Sequence, residues 1–472
     1  MLASKLFGDK WIGPDCQVKD ITIDSRAVGE GSVFVCIRGE NVDGHSFAKM
    51  AEEKGAVCIV CEESLELSVP QVVYPDTKIA LSYIASKFYG EPEKKLHLVG
   101  ITGTNGKTSV SYFIKKILES KGKRVGIIGT NEILVGEDEV GIKSSTPTTP
   151  NSLELRKIFA KMLDMGAEYV VMEVSSHALD LHRVEGLTYD VGVFTNLTRD
   201  HLDYHKTMEN YFLAKKKLFD ISKAGVVNVD DEYGKKILED KEGKISVGIK
   251  DADLLAENIE INEKGVSFDA CYKGEKCHTF LPVSGMFSVY NGLCALGACT
   301  QLGISLSDAA KGLSLTDGVL GRLERVDIDA DYSVIIDYAH TPDGLENVLS
   351  AVNSFKKGRC IAVFGCGGDR DSTKRPIMGK IGTEMADIAI ITSDNPRTED
   401  PKAIIEDIVS GAVAGKYTVV ENRRDAIKYA MSLAEKDDIV LLLGKGQETY
   451  QIIGKEKIHF DEREIVREIL GE

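Results

Sequence analysis

A glycine-rich turn followed by a lysine and two hydroxyl residues has the composition of a phosphate-binding loop. It reads Gly103-Thr104-Asn105-Gly106-Lys107-Thr108-Ser109. The backbone N–H groups of such a turn and the positive end of a following helix attract phosphate oxygens. Lys107 adds a positive charge for the β- and γ-phosphates, and the Thr108 hydroxyl suits Mg²⁺. Because Ile101 stands where the longer loop has its first glycine, the match is to a shorter GxxGK[ST] loop.

The elements around this loop must place it at the edge of a sheet. An apolar strand, Leu96 to Ile101, leads into it. The helix that follows has an apolar face made of Val110, Phe113, Ile114, Ile117 and Leu118. Arg124 to Ile128 is the next strand, which predicts a parallel, right-handed βαβ unit.

Polar side chains follow two further apolar strands, Tyr169 to Val174 and Val191 to Thr195. Parallel sheets bind ligands outside the carboxyl ends of their strands. Glu173 ends an apolar run in which an unpaired carboxylate would be costly, so an Mg²⁺ ligand is favoured there. His201 and His205 have zinc-binding spacing, but Leu202 replaces the glutamate of the metalloprotease pattern, which favours magnesium over zinc.

The last 150 residues, in round numbers, repeat an apolar strand followed by a polar turn, which predicts a second open α/β sheet. The strands are Ser333 to Ile336, Ile361 to Phe364, Ile388 to Thr392 and Val440 to Leu443. Their turns are dense in Arg, Asp and Gly. The first 92 residues read instead as short strands with polar loops, including Asp24-Ser25-Arg26 and the loop from Gly39 to His45. We therefore predict an α/β fold with three domains, at residues 1–92, 93–323 and 324–472.

The overall composition narrows the classes of function. The 472 residues carry a formal net charge of −16, and 43% of them are hydrophobic. Without a basic stripe, that charge argues against general binding of nucleic acid or membrane surfaces. No apolar run reaches the roughly 18 residues that a membrane span needs, and the charged start does not resemble a signal peptide, so we expect a cytoplasmic protein. Cys58 and Cys61 are expected to be buried, reduced thiols on opposite faces of a strand.

Six motifs together resemble the Mur ligases, and the likeness covers all three regions in order. They are Gly103 to Thr108, Glu173 to His177, Thr195 to Asp203, Asp337 to Pro342, Phe364 to Asp371 and Asp394 to Arg397. The resemblance implies a small UDP-binding α/β domain, a central ATPase domain with a mostly parallel sheet, and a Rossmann-like C-terminal domain. It also implies small-molecule substrates and a monomer.

The reaction implied by this resemblance is an ATP-dependent amide bond formation in peptidoglycan precursor synthesis. It joins the D-glutamate γ-carboxylate of a UDP-linked muramoyl dipeptide to an amine of a diamino acid. The family activates the carboxylate as an acyl phosphate, which the amine then attacks. Two Mg²⁺ ions, the loop amides and Lys107 would offset the repulsion between a carboxylate and a triphosphate.

Carried residue by residue, the family pattern assigns Thr108 and Glu173 to one Mg²⁺ and His201 to the second. Lys215 matches the lysine that family members carry as a carbamate, formed from CO₂. An ammonium group cannot bind a cation, whereas a carbamate supplies two anionic oxygens. Asn291 resembles the adenine contact, and Arg322 and Asp337 resemble the γ-phosphate contact and the ribose or hinge contact.

The UDP-muramoyl dipeptide contacts are implied at several matching positions: Ser25, Asn41 and His45 in the first region, and Thr148, Thr149, Ser175 and Arg183 in the second. Leu181 stands where many members have a glutamine, two positions before the matching arginine.

The third substrate depends on one arginine. Meso-diaminopimelate differs from L-lysine by a distal carboxylate, which a guanidinium holds with two parallel hydrogen bonds. Arg397, in Asp394-Asn395-Pro396-Arg397, matches the diaminopimelate-adding pattern. Arg375, Gly444 and Glu448 match the remaining contacts, with Glu448 for the distal ammonium, and Gln447 replaces a usual histidine. Some members keep the arginine and accept lysine, so L-lysine remains the alternative.

Two further classes stay open. Folylpolyglutamate synthase shares the short phosphate loop and the carbamate chemistry but lacks a UDP-binding first domain of about 90 residues, the length of our predicted first region. A nucleotide-binding protein without catalysis would bind ATP and release no ADP. A guanine-nucleotide switch is disfavoured because the sequence has no Asn-Lys-x-Asp guanine reader.

Overall fold

The computed structural model describes residues 1–39, 42–130, 132–146, 148–239, 242–262, 264–316 and 318–471. The first elements are α1 (Ala3–Phe7), β1 (Asp20–Thr22), β2 (Ser32–Val35), α2 (Ala48–Glu53), β3 (Cys58–Cys61), β4 (Gln71–Val73) and α3 (Thr77–Phe88). Strands β1 to β4 form a parallel sheet in sequence order. Cys58 and Cys61 are free thiols that pack into different apolar clusters, as their strand spacing predicts.

The middle of the chain mixes strands and helices and ends in two helices. Its elements are β5 (His97–Thr102), α4 (Lys107–Ser120), β6 (Val125–Ile128), β7 (Ile133–Val135), β8 (Asp138–Glu139), α5 (Ser152–Asp164), β9 (Tyr169–Glu173), α6 (Ser176–Asp180), β10 (Tyr189–Phe194), α7 (Leu202–His205), α8 (Met208–Asp220), β11 (Ser222–Asn228), α9 (Glu232–Ile237), β12 (Lys244–Gly248), β13 (Leu254–Asn262), β14 (Gly265–Tyr272), β15 (Glu275–Leu281), α10 (Met286–Gln301) and α11 (Leu306–Leu313).

The remaining elements alternate again. They are β16 (Glu324–Val326), β17 (Ser333–Asp337), α12 (Pro342–Phe355), β18 (Cys360–Phe364), α13 (Arg375–Met385), β19 (Ile388–Ile391), α14 (Pro401–Val409), β20 (Tyr417–Val419), α15 (Arg423–Leu433), β21 (Ile439–Leu443), β22 (Tyr450–Ile453), β23 (Glu456–His459) and α16 (Glu462–Leu470).

The chain packs as two compact units. The first comprises Met1–Thr102, Gly122–Gly192 and Ala214–Ala224, and the second comprises Gly103–Lys121, Val193–Leu213 and Gly225–Glu472. Within the described residues, no helix is both long enough and apolar enough to cross a lipid bilayer.

In the first unit, strands β5, β9 and β6 are parallel neighbours, with β9 in the middle. The predicted strands on either side of the phosphate loop therefore exist, but they are not adjacent. Strands β7 and β8 extend this sheet with antiparallel pairs. The carboxyl ends of β6 and β9 meet at one edge, where polar residues follow both strands.

In the second unit, β11, β12 and the start of β13 are parallel, whereas β13, β14 and β15 form antiparallel hairpins. The sequence analysis did not predict these hairpins. The six-stranded sheet of this unit has the order β16-β17-β21-β18-β19-β20, with β16 alone antiparallel. Apolar clusters cover both of its faces, as expected for a parallel sheet with near-continuous apolar strands.

Candidate active site

The phosphate loop has the short form that its sequence predicts. Strand β5 ends at Thr102, and α4 begins at Lys107 directly after the turn. The Thr104 N–H donates to the Asn196 carbonyl and the Asn105 N–H to Asn196 Oδ1, both at 2.9 Å. Lys107 Nζ donates to the carbonyls of Gly103 and Thr104, each at 2.9 Å, so the lysine closes the loop on itself. The predicted apolar face of α4 is buried throughout.

Gly103 cannot carry a side chain in this loop. Its φ is +151°, and an added Cβ would lie 1.9 Å from Thr195 Oγ1, which donates to the Asn105 carbonyl at 2.6 Å. The clash would therefore displace the Thr195 side chain, which supports the loop through its hydrogen bond to Asn105.

The Gly103→Ala variant is expected to raise KM for ATP by about tenfold or more, because the loop amides lose their alignment. Enzyme kinetics with ATP as the varied substrate checks this. Gly122→Ala is the matched control, since Gly122 has φ +74° but open space around its Cβ position. Equal effects of the two variants on KM for ATP would show that backbone strain, and not the clash, is responsible.

Two residues predicted to contact ATP lie against the loop in the same unit. Arg322 Nη2 is 3.4 Å from Thr108 Oγ1, and the Arg322 guanidinium stacks 4.7 Å from the Tyr338 ring centre. Asn291 is buried, and its Oδ1 would lie 2.3 Å from a Cβ on Gly106. Both side chains therefore border the place where the loop would hold phosphates.

Asp337 ties the segment after Gly321 to the end of β17. Its carboxylate accepts the N–H groups of Leu323 at 2.7 Å and Ala339 at 2.8 Å. Burial raises the pKa of this carboxyl, although Arg322 and the two N–H groups oppose the shift. The geometry favours the hinge role among the two that the resemblance implied.

Glu173 is the centre of a polar cluster at the carboxyl ends of β6 and β9. Its Oε1 accepts the Thr130 N–H at 3.1 Å, and its Oε2 accepts the Thr130 hydroxyl at 3.0 Å. Thr148 Oγ1 lies 3.0 Å from the Thr130 hydroxyl. The Thr149 hydroxyl donates to the Glu173 carbonyl at 2.9 Å. The carboxylate is only 1% exposed, so these polar contacts take the place of solvent around it.

The residues predicted to hold the muramoyl dipeptide in this region join the same cluster. The Ser175 N–H donates to Thr149 Oγ1 at 3.0 Å, and Arg183 Nη1 donates to the Thr149 carbonyl at 3.2 Å. The structure thus brings Thr148, Thr149, Ser175 and Arg183 together around Glu173.

The three consecutive lysines on α8 differ in how far they are buried. Lys215 is 2% exposed, Lys216 is half-buried and Lys217 is exposed and pairs with Asp180 at 2.8 Å. Burial is costly for an ammonium group, which sets Lys215 apart from its neighbours.

His201 has the left-handed φ of +53° just before α7, and its Nε2 lies 3.5 Å from Asp200 Oδ2. Among the described residues, no three His, Cys, Asp or Glu side chains gather as a metal cluster.

The predicted uridine-side residues are only partly available to a ligand. Both ring nitrogens of His45 are engaged, because Nδ1 lies 2.6 Å from Asp43 Oδ1 and Nε2 accepts the Glu62 N–H at 2.9 Å. Its ring supports the loop and offers no nitrogen to a substrate. The Ser25 carbonyl accepts from Lys54 Nζ at 3.0 Å. Asn41 lies outside the described residues.

The amino-acid residues predicted in the last region meet at the carboxyl edge of the six-stranded sheet. Asn395 Nδ2 donates to Glu448 Oε2 at 2.8 Å. Lys445 Nζ lies 3.1 Å from Asn395 Oδ1 and 3.2 Å from Glu448 Oε2. Gly444 has φ +113°, and an added Cβ would lie 2.5 Å from Asp394 Oδ2. The turns after β19 and β21 are therefore packed against each other.

The two predicted arginines of this edge differ. Arg397 has φ +51° and donates from Nη1 to the Gly368 carbonyl at 2.6 Å. Arg375 is 2% exposed and donates to Asp407 and Glu399, both at 2.9 Å. Arg375 thus anchors the loops in this structure, while Arg397 stands in the turn itself.

The sequence analysis did not single out several residues that the structure places at these sites. They are Thr130, Asp343, Arg423 and Lys445. Asp343, the second residue of α12, accepts from Asn105 Nδ2 at 2.6 Å. Thr130 and Lys445 follow the ends of predicted strands, which is a signal that could have found them. The fully buried Arg423 begins a helix and carries no such signal.

Comparisons with known proteins agree along the chain. Family models match residues 17–89 (Mur ligase family, catalytic domain), 101–299 (Mur ligase middle domain) and 321–446 (Mur ligase, glutamate ligase domain). A UDP-N-acetylmuramoyl-L-alanyl-D-glutamate–2,6-diaminopimelate ligase 1 from Clostridium acetobutylicum is 49% identical over 463 residues, 97% of this chain and 95% of the relative.

Solved structures of Mur ligases are similar in fold to this chain. A structure of UDP-N-acetylmuramoyl-L-alanyl-D-glutamate–2,6-diaminopimelate ligase has 29% identity and a TM-score of 0.71, covering 100% of this chain and 99% of the other. A MurF ligase from Thermotoga maritima in complex with ADP shares the fold, with 19% identity, a TM-score of 0.64 and coverage of 91% and 94%.

Proposed function

The chain belongs to the Mur ligase family, and from this premise we propose that it adds meso-2,6-diaminopimelate to UDP-N-acetylmuramoyl-L-alanyl-D-glutamate with ATP. The observation that carries the choice of amino acid is the turn of Arg397, whose Asn395 side chain is hydrogen-bonded to Glu448 and Lys445. A guanidinium for a carboxylate and a carboxylate for an ammonium are the two groups that the distal end of diaminopimelate requires.

In this reaction the γ-phosphoryl group of ATP is transferred to the glutamate γ-carboxylate, and ADP leaves. The amine of diaminopimelate then attacks the acyl phosphate carbon, loses a proton and expels inorganic phosphate as the amide forms. Lys107, Arg322 and the loop amides would hold the transferred phosphoryl group and offset its charge. The Glu173 cluster, with Thr149, Ser175 and Arg183, would hold the muramoyl dipeptide.

Mg²⁺ would be bound by the Thr108 hydroxyl, the Glu173 carboxylate, the His201 imidazole and a carbamate on Lys215. These are oxygen donors with one imidazole, a donor set that suits Mg²⁺. When bound, the ions supply charge neutralisation between the two anionic substrates.

We propose that the enzyme works as a cytoplasmic monomer on small-molecule substrates and inserts in no membrane. The domain boundaries after residues 92 and 323 also remain our proposal, and the ranges matched by the three family models support them.

The test measures ADP release when a muramoyl dipeptide acceptor and a folate acceptor are each combined with meso-diaminopimelate, L-lysine and L-glutamate. With the muramoyl dipeptide we expect turnover of meso-diaminopimelate and weaker turnover of L-lysine, and we expect none with the other combinations. Turnover with lysine and not diaminopimelate would establish the lysine-adding alternative. Turnover of a folate with glutamate would establish the folylpolyglutamate alternative, and ATP binding without ADP release would exclude catalysis.

A further inference from the structure

A fully buried arginine lies beneath the two turns proposed to hold the amino acid. Arg423 begins α15 and is 1% exposed. It donates from Nε to Glu462 Oε1 and from Nη2 to the Leu443 carbonyl, both at 2.8 Å. Its Nη1 lies 3.7 Å from Asp394 Oδ2. One guanidinium therefore contacts both Leu443, the residue before Gly444, and Asp394, three residues before Arg397.

These contacts join the two turns at a point where they have little freedom. The Asp394 carbonyl accepts from Gln451 Nε2 at 2.6 Å, and Gly444 has no space for a side chain next to the Asp394 carboxylate. The planar fork of arginine fixes the directions of all three partners at once, which a lysine ammonium does not. Glu462, itself fully buried, sets the rotation of the guanidinium.

The pair of Arg423 and Asp394 is held by charge without a hydrogen bond. Asp394 Oδ2 and Arg423 Nη1 are both buried, and neither has a hydrogen-bond partner among the described residues. Burial by itself raises the pKa of Asp394, but the fields of Lys445 and Arg423 outweigh burial and lower it. The carboxylate of Asp394 therefore attracts the Arg423 guanidinium across 3.7 Å and ties its turn to the backbone before Gly444.

We propose that Arg423 is a positioning residue that sets the spacing of the two amino-acid-binding turns and thereby the affinity for the amino-acid substrate. It acts through Asp394 and the Leu443–Gly444 backbone and touches no substrate itself. The inference rests on the proposed function, since it assumes that these turns bind an amino acid.

A second arginine in the same sheet provides a matched control. Arg359 precedes β18, and its Nη2 lies 2.6 Å from Asp438 Oδ2 and 2.9 Å from the Leu433 carbonyl. It joins the Asp438 carboxylate, just before β21, to the last carbonyl of α15, but at the amino ends of the strands, away from the proposed substrate edge. Loss of the Arg359–Asp438 ion pair tests the general effect of weakening the sheet.

The experiment compares Arg423→Lys and Arg359→Lys with the wild type in steady-state ADP-release assays, each substrate being varied in turn. Arg423→Lys is expected to raise KM for meso-diaminopimelate by about tenfold to a hundredfold, as for a misplaced binding group. KM for ATP and for the muramoyl acceptor should change by less than about twofold. Arg359→Lys should leave all three KM values unchanged to the same degree.

Glu462→Gln keeps the volume and an acceptor oxygen, and it serves as a second variant if Arg423→Lys does not fold. Without the glutamate charge, the guanidinium is drawn towards Asp394, which changes the spacing of the two turns. The same KM should rise about threefold. Equal changes in all three KM values, in Arg423→Lys and Arg359→Lys alike, would overturn the proposal and leave a structural role.

The wild-type measurement separates this inference from the proposed function. If the wild type turns over L-lysine and not meso-diaminopimelate, the proposed substrate is wrong. The effect of Arg423→Lys is then read on KM for lysine, where a selective rise supports the positioning role and its absence overturns it.

Discussion

The Lys215→Ala variant is expected to lose turnover by roughly a hundredfold to a thousandfold, the range seen when a group that stabilises transition-state charge is removed. Lys215 is buried, unlike Lys216 and Lys217, and burial disfavours its ammonium form and favours the neutral amine, the form that can react with CO₂ to give a carbamate. That anion would bind Mg²⁺, whereas alanine leaves the cation without two oxygen donors.

ADP release with both substrates measures this loss, and a short carboxylic acid such as acetate should restore part of the rate by replacing the carbamate oxygens. Lys217→Ala is the control, because its exposed ion pair with Asp180 is worth at most about 1 kcal/mol. Unchanged turnover in Lys215→Ala, in protein that melts like the wild type, would rule out the carbamate.

The Arg397→Ala variant is expected to raise KM for meso-diaminopimelate by about a hundredfold or more, because truncation leaves the distal carboxylate without its charged partner. L-Lysine lacks that carboxylate, so its weaker use should change by less than about threefold. The ratio of kcat/KM for the two amino acids is the quantity to measure.

Arg424→Ala provides the comparison for Arg397. Arg424 lies at the same edge of the sheet but is exposed and pairs with Glu468 on the surface. Loss of the Arg424 side chain should leave the ratio of kcat/KM for meso-diaminopimelate and L-lysine unchanged. A ratio in Arg397→Ala equal to the wild-type ratio would show that another group reads the distal carboxylate.

Local sequence predicted the elements of the parallel sheets well. The strand that leads into the phosphate loop and the four strands predicted in the last region all lie within one residue of their predicted starts, and the predicted apolar face of the helix after the loop is buried. Each is an apolar run bounded by a turn signal, so the information is contained in a few adjacent residues. The hairpins of β13 to β15 were missed because their alternating pattern is weaker and more polar.

The burial of Lys215 was expected only from a resemblance, since three adjacent lysines look alike in a sequence. The rotation of α8 decides which of them faces inward. In the same way, only the family resemblance implied His45 as a ligand contact, and the structure shows that Asp43 and Glu62 contact its two ring nitrogens.

The sequence by itself determined the short phosphate loop, the order of the α/β regions and the family, because each depends on residue types at fixed spacing along the chain. Tertiary structure alone decided that Thr130 supports Glu173, and that Arg423 joins the turns of Asp394 and Gly444. These contacts connect residues 20 to 43 positions apart. Their partners meet only when parallel strands align their carboxyl ends at one edge of a sheet.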